Sequence, residues 1–162
     1  MLGVTVTSFD ADAPLTGLTI GEVPEPEVPD GWVLVDVRAA ALNHHDLWSL
    51  KGVGLRAEQL PMILGCDAAG VDQDGNEVLV HAVIADPDAG GGDETLDPRR
   101  SLLSEKHPGT LAQRVAVPRR NLVPKPASLT FEEAACLPTA WLTAYRMLFT
   151  RTSLRPGDTV LV

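Results

Sequence analysis

The octapeptide A-L-N-H-H-D-L-W, Ala41 to Trp48, sets two neighbouring histidines and an aspartate inside an apolar frame. Imidazole and carboxylate side chains serve either as metal ligands or as acid–base groups that titrate near neutrality. The third reading is a plain wall with no chemistry of its own. Neighbouring helical residues point about 100° apart, so His44 and His45 are poorly placed to share one ion. The other candidate metal ligand is Cys66, in G-C-D-A-A-G, which also reads as a small buried hydrophobe. Asn43 can cap a short helix over His44–Lys51, because its amide oxygen can accept the free N–H groups of the first turn. His81 and His107 carry no partner pattern.

These residues must be held by short β-type segments. Gly3–Phe9 alternates in polarity, and Trp32–Ala41 alternates more strongly, with Asp36 and Arg38 on its wet face. V-P-E-P-E-V-P-D-G, from Val23 to Gly31, separates the two as an extended connector. Gly65–Val71 and Asn76–Ile84 read as strands joined by the D-Q-D-G-N turn. Asp86–Gly109 is long, polar and glycine-rich and reads as a mobile surface lobe. Ala112–Val117 resumes strand character, and V-P-K-P at Val123–Pro126 reads as a further extended linker. The period then becomes helical. Thr130 with Glu133 forms a capping box for Phe131–Cys136, and Pro138 opens an amphipathic helix. Asp158–Val162 has the composition of a buried parallel strand, which requires neighbours on both sides. The chain therefore reads as a piece of something longer.

The expected fold class is mainly β, a partly open barrel with short helices, followed by a helix and the first strand of a truncated α/β domain. The 162 residues can bury a real core. Hydrophobic residues make up 44% and charged residues 22%, the composition of a globular chain. A net charge of −9 argues against nucleic acid or an anionic membrane as partner. Two distant cysteines with no CxxC exclude a disulfide framework or a four-cysteine zinc site as a sequence pattern. With no basic leader and no long apolar run, the expected location is cytoplasmic.

Six segments in order, V-D-V-R-A-A-A-L-N-H-H-D-L, L-P-M-I-L-G-C-D-A-A-G-V, G-N-E-V-L-V, G-T-L-A-Q-R-V-A-V-P, F-E-E-A-A-C-L-P-T-A-W-L-T-A-Y-R-M-L and R-P-G-D-T-V-L-V, resemble the medium-chain dehydrogenase/reductase superfamily. The resemblance is nearest to its zinc-free quinone-oxidoreductase branch. It implies a GroES-like catalytic domain over residues 1–125, then a helical linker and the start of a Rossmann domain over 126–162. It also implies an NADPH cofactor, a small-molecule substrate and a homodimer in the full-length form. The glycine-rich turn that would hold the dinucleotide pyrophosphate is not found in the sequence, and Gly90–Gly92 lacks the strand–turn–helix setting.

In zinc-dependent relatives three protein ligands hold the catalytic metal. The resemblance puts Asn43, Cys66 and Thr139 at those positions. An amide and a hydroxyl are poor partners for zinc, so no zinc is expected. N-H-H-D fits the N-x-x-D pattern of the zinc-free relatives as Asn43 and Asp46. The resemblance implies that Asn43 orients a carboxamide or carbonyl, that Asp46 orients the site, and that His45 stands where a proton-relay hydroxyl sits. It places Trp48, Thr139 and Thr143 beside the nicotinamide. The implied reaction is hydride transfer to quinones or α,β-unsaturated carbonyls, which need little Lewis-acid help. A stand-alone GroES-like binding module and a zinc enzyme with atypical ligands are the competing readings.

Overall fold

A computed structural model describes residues 1–161. The strands are β1 (Leu2–Val6), β2 (Leu18–Glu22), β3 (Trp32–Ala41), β4 (Met62–Ile63), β5 (Asp67–Asp72), β6 (Glu77–Val80), β7 (Val83–Ile84), β8 (Ser101–Leu102), β9 (Arg114–Pro118) and β10 (Leu122–Pro124). The helices are α1 (His44–Leu50), α2 (Phe131–Ala135) and α3 (Leu142–Tyr145), the last flanked by π-type turns at Leu137–Trp141 and Arg146–Thr150.

Five antiparallel strands in the order β10-β6-β5-β3-β9 form the main sheet, and β2-β1-β4 form a second. The two are stitched together where the Val4 N–H donates to the Leu111 carbonyl at 2.8 Å and the Gln113 N–H to the Leu2 carbonyl at 3.1 Å. The result is a curled, partly open barrel. Alternation in β3 explains its core: Val33 and Val35 point inward against Val80, Val115 and Val117, while Asp36 pairs outside with Arg114. Each such fully buried aliphatic side chain contributes about 1.5–3 kcal/mol. A bulge between Val37 and Ala39 shifts the β3–β5 register. The opposite face of the sheet, at Ala69 and Leu79, is covered by Ala134 and Ala135 of α2. That helix starts as its capping box predicts: the Glu133 N–H donates to Thr130 Oγ1, and the Thr130 N–H to the Glu133 carboxylate.

Several expectations need correction. The run Asn76–Ile84 is not one strand. It breaks between β6 and β7, because the buried Asn121 amide donates to the carbonyls of His81 and Val83 at 2.7 Å each, drawing both off the ladder. The segment read as a V-P-K-P linker begins as edge strand β10, where Pro124 costs no central hydrogen bond. The lobe at 86–109 is anchored rather than loose. The Asp97 carboxylate accepts the N–H groups of Asp86 and Arg99, and Leu103 is fully buried in the barrel core. Both cysteines are free thiols, Cys66 buried and Cys136 exposed. Residues 158–161 form no strand, and Leu161 is 98% exposed, with no strand beside it among the described residues. Val162, the last residue of that expected strand, lies outside the described residues.

Candidate active site

Helix α1, which carries the histidines, is pinned at its first turn by a carboxylate. Asp46 Oδ2 accepts the Asn43 N–H at 2.8 Å, and Oδ1 accepts the Gly65 N–H at 3.0 Å. Gly65 has φ of +99°, and a Cβ there would lie 2.7 Å from the Leu111 backbone, so only glycine fits this crossing. Asp46 thus locks α1 to the segment carrying Cys66 and Asp67. Expected among the catalytic residues, it is buried behind them with both oxygens taken by backbone donors.

Asn43 does not cap the helix with its side chain as the sequence suggested. Its amide Nδ2 instead donates to Asp67 Oδ2 at 2.9 Å. The Thr139 hydroxyl donates to the other oxygen, Asp67 Oδ1. Asn43 and Thr139, two of the three residues that the resemblance sets at zinc-ligand positions, therefore meet on one buried carboxylate. Burial raises the Asp67 pKa above the usual carboxylate range, opposed by these two hydrogen bonds. The third position, Cys66, lies beside them with its thiol at 3.4 Å from both His45 Nδ1 and the Leu103 carbonyl. Its pKa is pushed up by burial first, then by the negative charges of Asp46, Asp67 and Glu105. An amide and a hydroxyl that both donate to Asp67 do not fit zinc. Among the described residues, no group of three or more His, Cys, Asp or Glu side chains is arranged to hold a metal.

His45 is held at both ring nitrogens: Nε2 lies 3.0 Å from Glu105 Oε1 and Nδ1 faces the Cys66 sulfur. Both ring nitrogens of His45, expected to protonate a substrate directly, thus face protein partners. His44 is exposed, with its ring 6.3 Å from that of Trp48.

A cavity of about 790 Å³ opens over this cluster. His45, Trp48, Cys66, Thr139 and Thr143 line it, so four of the six expected site residues share one cavity. Asn43 and Asp46 do not line it; they support it from behind. The far wall carries Arg146 of the 137–150 run and Arg151 just beyond it, both paired with Asp93 of the lobe, at 2.6 and 3.0 Å. Asp93 is held down to about 2, chiefly by the Thr95 hydroxyl and further by Arg146. His81 also faces the cavity, and burial lowers its pKa. Sequence reasoning assigned no role to Glu105 or Asp93. Only the paired Leu102 and Leu103 inside a polar stretch signalled that the lobe is anchored.

The alcohol dehydrogenase GroES-like domain family matches residues 29–127. Crotonyl-CoA carboxylase/reductase of Cereibacter sphaeroides is 34% identical over 92% of this chain and 39% of its own length. A crystallised NAD-dependent alcohol dehydrogenase superposes with TM-score 0.86 at 35% identity, covering 98% of this chain and 49% of that one. A crotonyl-CoA carboxylase/reductase variant in complex with NADP superposes with TM-score 0.84 at 27% identity, over 98% and 45%. The chain spans about two-fifths of the length of the crotonyl-CoA reductases it matches. The mainly β fold expected from the sequence is the one these proteins share.

Proposed function

Because the chain belongs to the alcohol dehydrogenase GroES-like family of medium-chain oxidoreductases, we propose that it is the N-terminal catalytic portion of a zinc-independent NAD(P)H-dependent reductase acting on quinones or α,β-unsaturated carbonyls. The carrying observation is the Asp67 carboxylate bonded by Asn43 and Thr139, which the resemblance sets at zinc-ligand positions. Hydride transfer to an isolated carbonyl needs strong electrophilic help at oxygen, whereas a conjugated acceptor spreads the developing charge itself. Hydrogen-bond donors of ordinary strength then suffice.

The aromatic face of Trp48 and the small hydroxyl residues Thr139 and Thr143 fit a nicotinamide ring in this cavity. The bound cofactor would supply the hydride; the residues here hold its ring and exclude water. NADPH is preferred to NADH in this reading, supported by the NADP-bound relative. Residues 1–125 act as the catalytic domain, and 126–162 open a dinucleotide-binding domain. The exposed Trp141, Tyr145, Met147 and Phe149 on the 137–150 run support such a neighbour. The same reading includes a small-molecule substrate, a homodimer in the full-length form and a cytoplasmic location. It also holds the chain inactive on its own, since most of the dinucleotide site lies outside it.

Amide and indole chemical shifts of the ¹⁵N-labelled chain test this. Titration with an enone or quinone is expected to move Trp48 and Thr143, while ethanol leaves them in place. Equal responses to ethanol would contradict the substrate class. Micromolar NADPH binding with turnover would contradict the inactivity of the chain alone.

A further inference from the structure

The contacts around His45 form a chain from solvent to cavity. Glu105, on the lobe, is partly exposed, and its Oε1 meets His45 Nε2 at 3.0 Å. His45 Nδ1 meets the Cys66 sulfur, which is 1% exposed yet borders the cavity. Glu105 itself is fixed: the Gln59 side chain donates to its carbonyl at 2.7 Å, and Gly54 leaves room for its carboxylate, since a Cβ there would lie 3.1 Å from Oε1. Two buried hydroxyls flank the chain without a protein partner. Ser49 lies one turn beyond His45 on α1, and Ser104, at φ of +68°, immediately precedes Glu105. Buried orphan hydroxyls of this kind are the sites that ordered water fills.

The geometry fits both protonation states of the imidazole. A carboxylate at Nε2 requires an N–H there. With one ring proton, Nδ1 is an acceptor and the thiol donates to it. With two, Nδ1–H donates to sulfur and the thiol turns to the Leu103 carbonyl, also 3.4 Å away.

We propose that Cys66, His45 and Glu105 are a proton relay, in which Cys66 is the cavity-facing donor, His45 resupplies it and Glu105 is the positioning residue that orients the imidazole. The inference rests on the reductase reading for its reaction. A bound reduced nicotinamide would supply hydride to the β carbon of the conjugated acceptor, whose alkene electron pair would then rest on the α carbon and carbonyl oxygen. The Cys66 S–H bond then breaks as a C–H bond forms at the α carbon, or an O–H bond in the quinone case. The sulfur takes the Nδ1 proton of the doubly protonated His45, and one solvent proton restores the imidazole. In sum, one hydride and one proton are added and the nicotinamide is oxidised. Among charged groups, Asp46, Asp67 and Glu105 bear on the thiol, and all three oppose a lasting thiolate.

Infrared spectroscopy of the chain tests the relay. Cys136→Ser leaves Cys66 as the single thiol, because the sequence has two cysteines. The expected wild-type S–H stretch is that of a thiol donating to the imidazole nitrogen, and His45→Phe moves it to the position of a thiol donating to the Leu103 carbonyl. Histidine ¹⁵N resonances are expected to show Nε2 protonated in His45. Glu105→Leu, which leaves no acceptor at Nε2, should lose that tautomer preference, while Glu105→Gln, whose amide oxygen accepts the Nε2 proton, keeps it, a signature that a packing role would not produce. An S–H band unmoved by His45→Phe, or a tautomer unmoved by Glu105→Leu, would overturn the relay. These readouts need no turnover. If they behave as expected while the enone leaves Trp48 and Thr143 unmoved, the reductase reading falls and the relay stands.

Discussion

On the barrel side of the cavity, Cys66, Asp67 and Asp46 are at most 5% exposed and their side chains meet protein partners. On the other side, the 137–150 run buries none of its residues, and Trp141 and Tyr145 remain 66% and 61% exposed. One wall is finished by the chain's own sheet; the other is held by ion pairs from Asp93 to Arg146 and Arg151. The difference teaches where the chemistry is preorganised. Geometry that a site must keep is set by packing and buried hydrogen bonds, and the exposed wall is left to neighbours.

The largest contrast is in stability. Leu64→Ala, next to Gly65 and 1% exposed, should cost about 2–5 kcal/mol in urea unfolding. Trp141→Ala should stay within about 0.5 kcal/mol. Equal losses would erase the distinction between the walls. Next, Asp46→Ala strands the buried Gly65 N–H and frees the start of α1, so a loss of about 1–3 kcal/mol is expected in the same assay.

A smaller effect reads the buried carboxylate through pH. Asp67 has a raised folded pKa, so the folded state holds its proton more tightly than the unfolded chain does. The resulting stability is present below the ordinary aspartate value of about 3.9 and is lost as pH rises through the raised value. Asp67→Asn should remove that fall from a stability–pH profile; an unchanged slope would deny the burial. Asp93 has the opposite sign. Its pKa lies at about 2, so its contribution is present above the ordinary value and fades as pH drops toward 2. Amide resonances of Gly90–Gly92 should shift across that window, and less so in Arg146→Ala.

How much of this could be read from residue order differs by element. The alternation of Trp32–Ala41 and the Thr130–Glu133 box are local signals, and both elements formed where expected. The grouping of His45, Trp48, Thr139 and Thr143 followed from a resemblance carried by many short motifs. The partners could not be read. Asn43 reaches Asp67 across 24 residues and His45 reaches Glu105 across 60, distances at which only the fold decides contact. Asn43 has the right chemistry for a cap, but its side chain is oriented by the bond its amide N–H donates to the buried Asp67 carboxylate. The break at His81 depends on Asn121, which no periodicity announces. Asp158–Leu161 has strand composition, yet composition without a neighbouring edge forms no ladder.

The central claim is that the residues the resemblance sets at zinc-ligand positions serve a buried carboxylate instead of a metal. Zinc content after equilibration with zinc and removal of the excess measures this most directly. The account predicts substoichiometric zinc, unchanged by Cys66→Ser. Stoichiometric zinc that Cys66→Ser or Asp67→Asn abolishes would contradict it.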